Sequence, residues 1–160
     1  MPEPYSPPIL DSVVALQSVY GLPRQAGFGS AVFSDRVKAN DLEQAALKHY
    51  RYFLGNLWDW FGEAAWMTPW KQIYRRRPDR KPDIVTELRS LTGDPASSVS
   101  MLLETANPDA AQKALSVAYD DATVSDLAIY TTGDGAAMSG LLIAGRRQTE
   151  EATFLVFLLD

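Results

Sequence analysis

His49 is the only histidine in the chain, and it limits the catalytic chemistry that the sequence can support. A Ser-His-Asp hydrolase needs a histidine base, but no serine lies within a GxSxG sequence. A zinc site built from histidine and cysteine ligands needs several such residues, but the chain has one histidine and no cysteine. His49 also shares an apolar helical stripe with Leu42, Ala46 and Phe53. We therefore expect a packing residue at the core boundary, and we predict no metal and no cofactor.

Two other short motifs fit local structure better than chemistry. The glycine-containing sequence at residues 131–135 matches neither GxxxxGK[ST] nor GxGxxG, and its aspartate–glycine pair is a common hairpin turn. Asp120, Asp121 and Asp126 lack the spacing of a calcium-binding EF-hand loop. We therefore expect a hairpin at the first motif and a solvated helix end with its loop at the second.

All four tryptophans lie within residues 58–70, directly before a strongly basic stretch. Tryptophan and arginine are enriched at interface hot spots, because both bury large areas and still donate hydrogen bonds. On one helix Trp58 and Trp60 would point about 160° apart, so one of them is expected at a boundary or exposed. We call residues 58–81 the aromatic–basic segment. The side chains predicted to form a binding surface on it are Trp58, Trp66, Trp70, Arg75, Arg76, Arg77 and Arg80.

The charge of the chain is unevenly distributed around this segment. The net charge is −5, yet residues 71–81 hold six basic side chains against one acid, Asp79, so they carry +5 and the rest carries −10. Arginine pairs well with carboxylates, which favours a partner with an acidic protein surface. Nucleic acid is not expected, because the acidic body would repel a phosphate backbone beyond this one region. The structural alternative is that the indoles wedge a helix against a sheet while the arginines solvate a loop or stack on those rings.

Hydrophobic spacing and capping residues predict the elements that carry the segment. Its first residues end a long helix that begins after the N-cap Asn40 and whose apolar stripe runs on through Leu57 and Trp60. Gly55 inside this helix marks either close packing or a bend. The predicted helices cover residues 11–20, 41–61, 83–91, 95–105 and 108–120, and Asp11, Asp94 and Asn107 are expected caps besides Asn40. The predicted strands cover residues 27–33, 124–131, 140–147 and 152–159.

These elements indicate an α+β fold, with a helix-rich N-terminal two-thirds packed on a C-terminal antiparallel β-meander of three strands, or four if residues 27–33 join it. Residues 1–8 hold four prolines and read as an extended tail, and residues 9–160 read as a single domain. Residues 154–159 are apolar on both alternating faces. This strand is therefore either covered on both sides or free to form a homodimer through one face.

The composition favours a binding role for this domain. The N-terminus does not resemble a secretory signal, and no apolar run approaches the ~18 residues of a membrane helix, so we expect a cytoplasmic protein without membrane contact. Our leading hypothesis is a non-catalytic binding or regulatory protein that engages a protein partner through the aromatic–basic segment. The alternative is a small-molecule-binding domain or small acid–base enzyme with a pocket between the meander and the long helix. Such an enzyme would use Asp126 and Tyr130 with Glu104 or Glu63.

Overall fold

A computed structural model describes residues 10–134 and 137–159. Over these residues the chain forms seven helices and one five-stranded antiparallel sheet, which confirms the α+β class. The sheet order is β1-β5-β4-β3-β2, so the prediction of three or four strands is wrong. The elements are α1 (Asp11–Tyr20), β1 (Gly29–Arg36), α2 (Leu42–Leu54), α3 (Asn56–Phe61), α4 (Glu63–Met67), β2 (Lys71–Arg75), α5 (Ile84–Arg89), α6 (Asp94–Leu103), α7 (Pro108–Tyr119), β3 (Val124–Gly133), β4 (Ser139–Arg147) and β5 (Glu151–Leu159).

The sheet lies between two layers of helices. Successive side chains of a strand point to opposite faces, so strands that are apolar throughout need cover on both sides. Helices α1, α5, α6 and α7 cover one face, which we call the α7 face, and pack on residues such as Ile129 and Leu155. Helices α2, α3 and α4 cover the other, the α2 face, and pack on residues such as Tyr130 and Phe154. The aromatic–basic segment supplies α3, α4 and the edge strand β2.

The C-terminal strand β5 lies inside the sheet, hydrogen-bonded to β1 on one side and to β4 on the other. Its residues 152–158 are all buried, since both helix layers cover them. The homodimer prediction needed an exposed apolar face on this strand. That premise is wrong for the described chain, because the residues that suggested a partner face are core residues.

The long helix predicted over residues 41–61 is two helices, α2 and α3, which corrects both its length and its apolar stripe. Gly55 separates α2 from α3 with φ 57° and ψ −127°, a backbone conformation that other residues rarely adopt. The break changes the rotation of the following residues about the helix axis. As a result Trp58 is buried and Trp60 is exposed, although the stripe had predicted Trp60 to face the core.

Of the four predicted caps, only Asn107 caps its helix through its side chain, and Asp83, predicted only to begin a helix, caps α5 in the same way. The carboxylate of Asp83 accepts the N–H of Thr86, and the side-chain amide oxygen of Asn107 accepts the N–H of Ala110, each at 3.2 Å. Asp11 is instead the first residue of α1 and follows Leu10, without a capping bond from a side chain. Asp94 is likewise the first residue of α6, preceded by Gly93. At α2 the residue before the helix is Asp41 rather than Asn40, without a capping bond from its side chain.

Two further expectations concern the tail and the turn between β3 and β4. These strands pair antiparallel, as a hairpin requires, and Met138 donates its N–H to the carboxylate of Asp134 at 3.0 Å. The Gly135 of the predicted turn and the proline-rich tail over residues 1–8 lie outside the described residues. Within the described ranges, no helix has both the length and the apolar composition needed to cross a membrane.

Candidate functional site

Two of the three tryptophans predicted to bind a partner belong to the core. Trp66 is fully buried on the α2 face, and its indole N–H donates to the carbonyl of Leu57 at 3.0 Å. Trp58 is 6% exposed, with the guanidinium of Arg51 lying 5.3 Å from its ring centre. Neither indole lies on the surface, so the structural alternative describes both residues and they leave the candidate site.

Trp70 is half-buried within a stack of three aromatic rings. Its ring lies 5.4 Å from Tyr50 and 4.7 Å from Tyr130, with interplanar angles of 19° and 9°. Its indole N–H donates to the carboxylate of Glu43 at 3.1 Å. This stack joins α2 to β3 across the start of β2, and it therefore positions the edge strand rather than a ligand.

Trp60 is the exposed indole, and it was absent from the predicted site. It is 79% exposed on α3, beside the exposed Phe61. The argument that Trp58 and Trp60 face opposite ways is confirmed, but only the break at Gly55 determines which of them is buried.

The middle arginine of the triplet at residues 75–77 is structural. Arg76 is 9% exposed, and its guanidinium donates to both carboxylate oxygens of Glu87, with the shortest contact 2.6 Å. It also donates to the carboxylate of Asp120 at 3.1 Å and to the carbonyl of Tyr119 at 2.7 Å. Arg76 thereby ties β2 to α5 and to the end of α7, and it is unable to contact a partner.

The polar groups around Arg76 satisfy one another. Tyr74 donates its hydroxyl to Glu87, and burial together with this bond raises the pKa of Tyr74 to about 12. Burial alone would raise the pKa of Glu87, but hydrogen bonds from Arg76 and Tyr74 outweigh it and lower that pKa below its usual value. Burial raises the pKa of Asp120, which accepts the N–H of Ile84 as well as the arginine. Buried donors and acceptors need hydrogen-bond partners, and the groups of this cluster supply them to one another. The role of the cluster is therefore structural, and we call it the clasp around Arg76.

The remaining cations of the segment lie on the surface. Arg75 is 59% exposed at its side chain and lies 3.4 Å from Asp126, a distance at the weak end of ion pairs. Lys71, Arg77, Arg80 and Lys81 are exposed, and none has an ion pair with another described residue. Of the predicted site residues, Arg75, Arg77 and Arg80 are thus exposed, as are two lysines of the same segment.

Strand β2 is the element that positions these cations, and sequence reasoning missed it. It pairs antiparallel with β3 along its inner side and has a register shift between Gln72 and Tyr74. At five residues it is too short for a convincing period-two pattern, and that irregularity breaks the alternation further. Its β-branched Ile73 beside Tyr74, between Pro69 and Pro78, was the available signal.

A cavity of 750 Å³ lies on the α7 face, between the ends of β2, β3 and β4 and the connection from α5 to α6. Ile73 and Leu91 contribute apolar walls, and Thr92 and Ser139 contribute hydroxyl groups. The hydroxyl of Ser98, a residue only 6% exposed, lines it without a hydrogen bond to any described residue. The alternative hypothesis expected a pocket against the long helix. This cavity lies on the other side of the sheet.

His49 is a boundary residue, as expected. Its ring lies between Phe33 and Phe154, with ring centres 5.0 and 4.8 Å away, and its Nε2 is 3.2 Å from the carboxylate of Asp35. Burial lowers the pKa of His49, although Asp35 opposes that shift. Lys48 shares the same carboxylate oxygen at 2.9 Å, so the carboxylate already has a cationic partner.

The aspartates considered for cation binding or acid–base work face arginines instead. Asp126 accepts from Arg146 at 3.0 Å, and Asp121 lies 3.0 Å from Arg147. Backbone and side-chain hydrogen bonds from Thr123 and the bond from Arg147 lower the pKa of Asp121 to about 2. These carboxylates pair with their own chain's cations.

Comparisons of this chain with protein-family models, with curated proteins and with solved structures found no match. The exposed cations and the strand that carries them are therefore the features that indicate a function.

Proposed function

We propose that this is a non-catalytic binding protein that engages an acidic region of a partner protein through the exposed cations at and beyond strand β2. We call this the cationic edge, and it consists of Lys71, Arg75, Arg77, Arg80 and Lys81. The proposal retains three arginines of the predicted site. It drops Trp58, Trp66 and Arg76, whose side chains belong to the core, and Trp70, which belongs to the ring stack. A cytoplasmic location is part of the same proposal.

One observation carries this proposal. Five of the six cations in residues 71–81 are exposed, and four of these five have no ion pair among the described residues, whereas the rest of the chain has a net charge of −10. Exposed cations distributed for solubility are normally interspersed with acids. Here Asp79 is the only acid among residues 71–81. A cluster mainly of one sign on an oppositely charged body steers and orients a partner of complementary charge.

The test is a charge reversal that leaves the clasp around Arg76 intact. We expect the double variant Arg77→Glu/Arg80→Glu to lose capture of acidic proteins from native lysate, because both side chains are exposed and neither forms a hydrogen bond or ion pair with another described residue. The matched control is Lys38→Glu/Lys113→Glu, which changes the net charge equally at exposed positions elsewhere. Quantitative mass spectrometry compares the proteins captured, and circular dichroism confirms that both variants fold. Equal loss in both variants, or unchanged capture by the first, would refute a specific role for the cationic edge.

A second candidate function is small-molecule binding in the cavity on the α7 face, favoured by its volume and by the unpaired hydroxyl of Ser98. A ligand there would combine apolar contacts with hydrogen bonds to hydroxyl groups. We expect compounds that raise the melting temperature of the wild type to have no effect on Ser98→Leu, whose side chain occupies the cavity. A shift that persists in this variant would exclude the cavity as the binding site.

A further inference from the structure

The two edges of the sheet differ in how their outward backbone groups are satisfied. At β1 the chain closes its own edge. Val32 donates its N–H to the carbonyl of Gly21 at 3.0 Å and accepts from the side chain of Gln17 at 3.2 Å. Arg24 donates to the carbonyl of Ser30 at 3.1 Å. A second strand would have to displace these bonds before it could pair with β1.

At β2 the outer edge is open. This strand is last in the sheet order and hydrogen-bonds to β3 alone. Arg76 donates its N–H to the carbonyl of Leu127 on β3 at 3.0 Å, so the alternation of an antiparallel ladder turns the backbone of Arg75 outward. Within the described ranges, nothing hydrogen-bonds to the outward groups of Arg75. The outward N–H and C=O of Arg75 are therefore unpaired among the described residues, and unpaired backbone groups on an edge strand allow another strand to add.

The charges along this open edge restrict which strand can add. Lys71 and Arg75 are exposed at its two ends, and charged side chains on an edge strand normally prevent unwanted pairing. Pairing of two copies through β2 would bring these cations against their equivalents, which is repulsive. An acidic strand faces no such repulsion, because its carboxylates would lie opposite the cations.

We propose that the acidic partner binds as an extended segment that adds to β2 as a sixth strand. Its backbone would exchange hydrogen bonds with Arg75, and the carboxylates on one of its faces would lie opposite Arg75 and Arg77, which alternate with the inward-facing Arg76. This inference rests on the proposed function and deepens it. The cations select the charge of the segment, while the backbone of β2 selects its extended conformation.

The probe for this inference is a fluorescein-labelled nine-residue peptide of alternating glutamate and valine, followed by fluorescence anisotropy. Two further peptides are N-methylated at every second residue, one in each of the two registers. In an added strand, alternate N–H groups point toward β2 and away from it. We expect one N-methylated peptide to bind about tenfold more weakly than the parent, since it loses hydrogen bonds to β2, and the other to bind as the parent does.

A variant of the protein tests the same hydrogen bonds from the other side. Arg75→Pro removes the outward N–H, and proline is tolerated on an edge strand where its position faces solvent. Arg75→Gln removes only the charge and is the matched control. We expect the proline variant to bind the parent peptide several-fold more weakly than the glutamine variant. Thermal melts show whether both variants remain folded. If the proline variant does not fold, binding of the N-methylated peptides to the wild type still tests the hydrogen bonds to β2.

The outcomes separate this inference from the proposed function. Equal binding of all three peptides would mean recognition by charge alone, which overturns strand addition and leaves the proposed function standing. No binding of the parent peptide at low salt would also overturn strand addition, and the capture experiment judges the proposed function separately. Light scattering that shows a dimer lost in Arg75→Pro would identify a second copy as the occupant and overturn the acidic partner.

Discussion

Arg76 and Arg77 are neighbours in the chain, yet they belong to two different regions of the molecule. The inward region of the aromatic–basic segment, with Trp58, Trp66 and Arg76, is buried and fully hydrogen-bonded or packed. The outward region, with Trp60 and Arg77, is exposed. The comparison shows that residue type alone does not identify a binding surface, because tryptophan and arginine are used equally well to build a core.

The difference also changes how this protein should be mutated. Replacing all three arginines at residues 75–77 would remove a structural clasp together with two surface charges, and loss of binding would then report unfolding. Pairing a variant of a buried residue with a variant of an exposed residue therefore distinguishes loss of stability from loss of binding.

The largest effect is expected for Trp66→Ala. This indole is fully buried, so truncation leaves a large cavity and deprives the Leu57 carbonyl of its donor. We expect a loss of about 3–5 kcal/mol in the free energy of unfolding. Trp60→Ala is the control and should change stability by no more than about 0.5 kcal/mol. Urea denaturation followed by circular dichroism measures both, and similar losses would contradict the division into two regions.

Arg76→Met should cost about 3 kcal/mol, because it leaves the buried carboxylate of Glu87 without its cation. The corresponding Arg77→Met should be near neutral. The double variant Arg76→Met/Glu87→Met should recover much of the loss, since an apolar pair avoids the unpaired charge. Chemical denaturation of the four proteins checks this. A double variant no more stable than Arg76→Met would show that the clasp is not organised around this ion pair.

Trp70→Leu tests the boundary between the two regions. It removes two ring contacts, to Tyr50 and Tyr130, and the hydrogen bond to Glu43. We expect a loss of about 2 kcal/mol, given about 0.5–1.5 kcal/mol for each aromatic pair. Hydrogen exchange should also show faster exchange at the backbone of β2 than in the wild type. Unchanged exchange there would mean that the stack does not hold the edge strand.

The smallest effect concerns pH. The folded-state pKa of Glu87 is lowered by Arg76 and Tyr74 against the effect of burial. A carboxyl group with a lowered pKa stabilises the fold above its unfolded pKa of about 4.5, and this stabilisation is lost as the pH falls through the folded-state value. Glu87→Gln should therefore be less stable than the wild type at pH 7 and lose less stability on acidification below pH ~4.5. Denaturation curves at several pH values measure this. Parallel pH profiles would exclude Glu87 as a contributor.

Part of the fold followed from local patterns. The strands over residues 124–159 were found because long apolar runs alternate with short polar or glycine-containing turns. The starts of α5 and α7 were found because Asp83 and Asn107 cap them through contacts only three residues away. Strand β2 was missed because its local signal is short and its partner β3 lies more than 50 residues later.

The sequence predicted the charge of the candidate site but not which of its arginines are exposed. The charge contrast between residues 71–81 and the rest of the chain was certain from composition. The burial of Arg76 was not, because Glu87 and Asp120 reach it from α5 and from the end of α7. Sequence spacing gives no signal for contacts that depend on how those helices pack.

The sequence by itself determined the α+β class, the two side-chain caps, the opposite directions of Trp58 and Trp60, and the cationic cluster. These features arise from residue composition, local hydrogen bonds or the period of one element. Only the tertiary structure decided which tryptophan is buried, which arginine is a clasp and which sheet edge stays open. Those outcomes depend on the break at Gly55 and on contacts between residues far apart in the chain, whose geometry exists only once the helix layers have packed on the sheet.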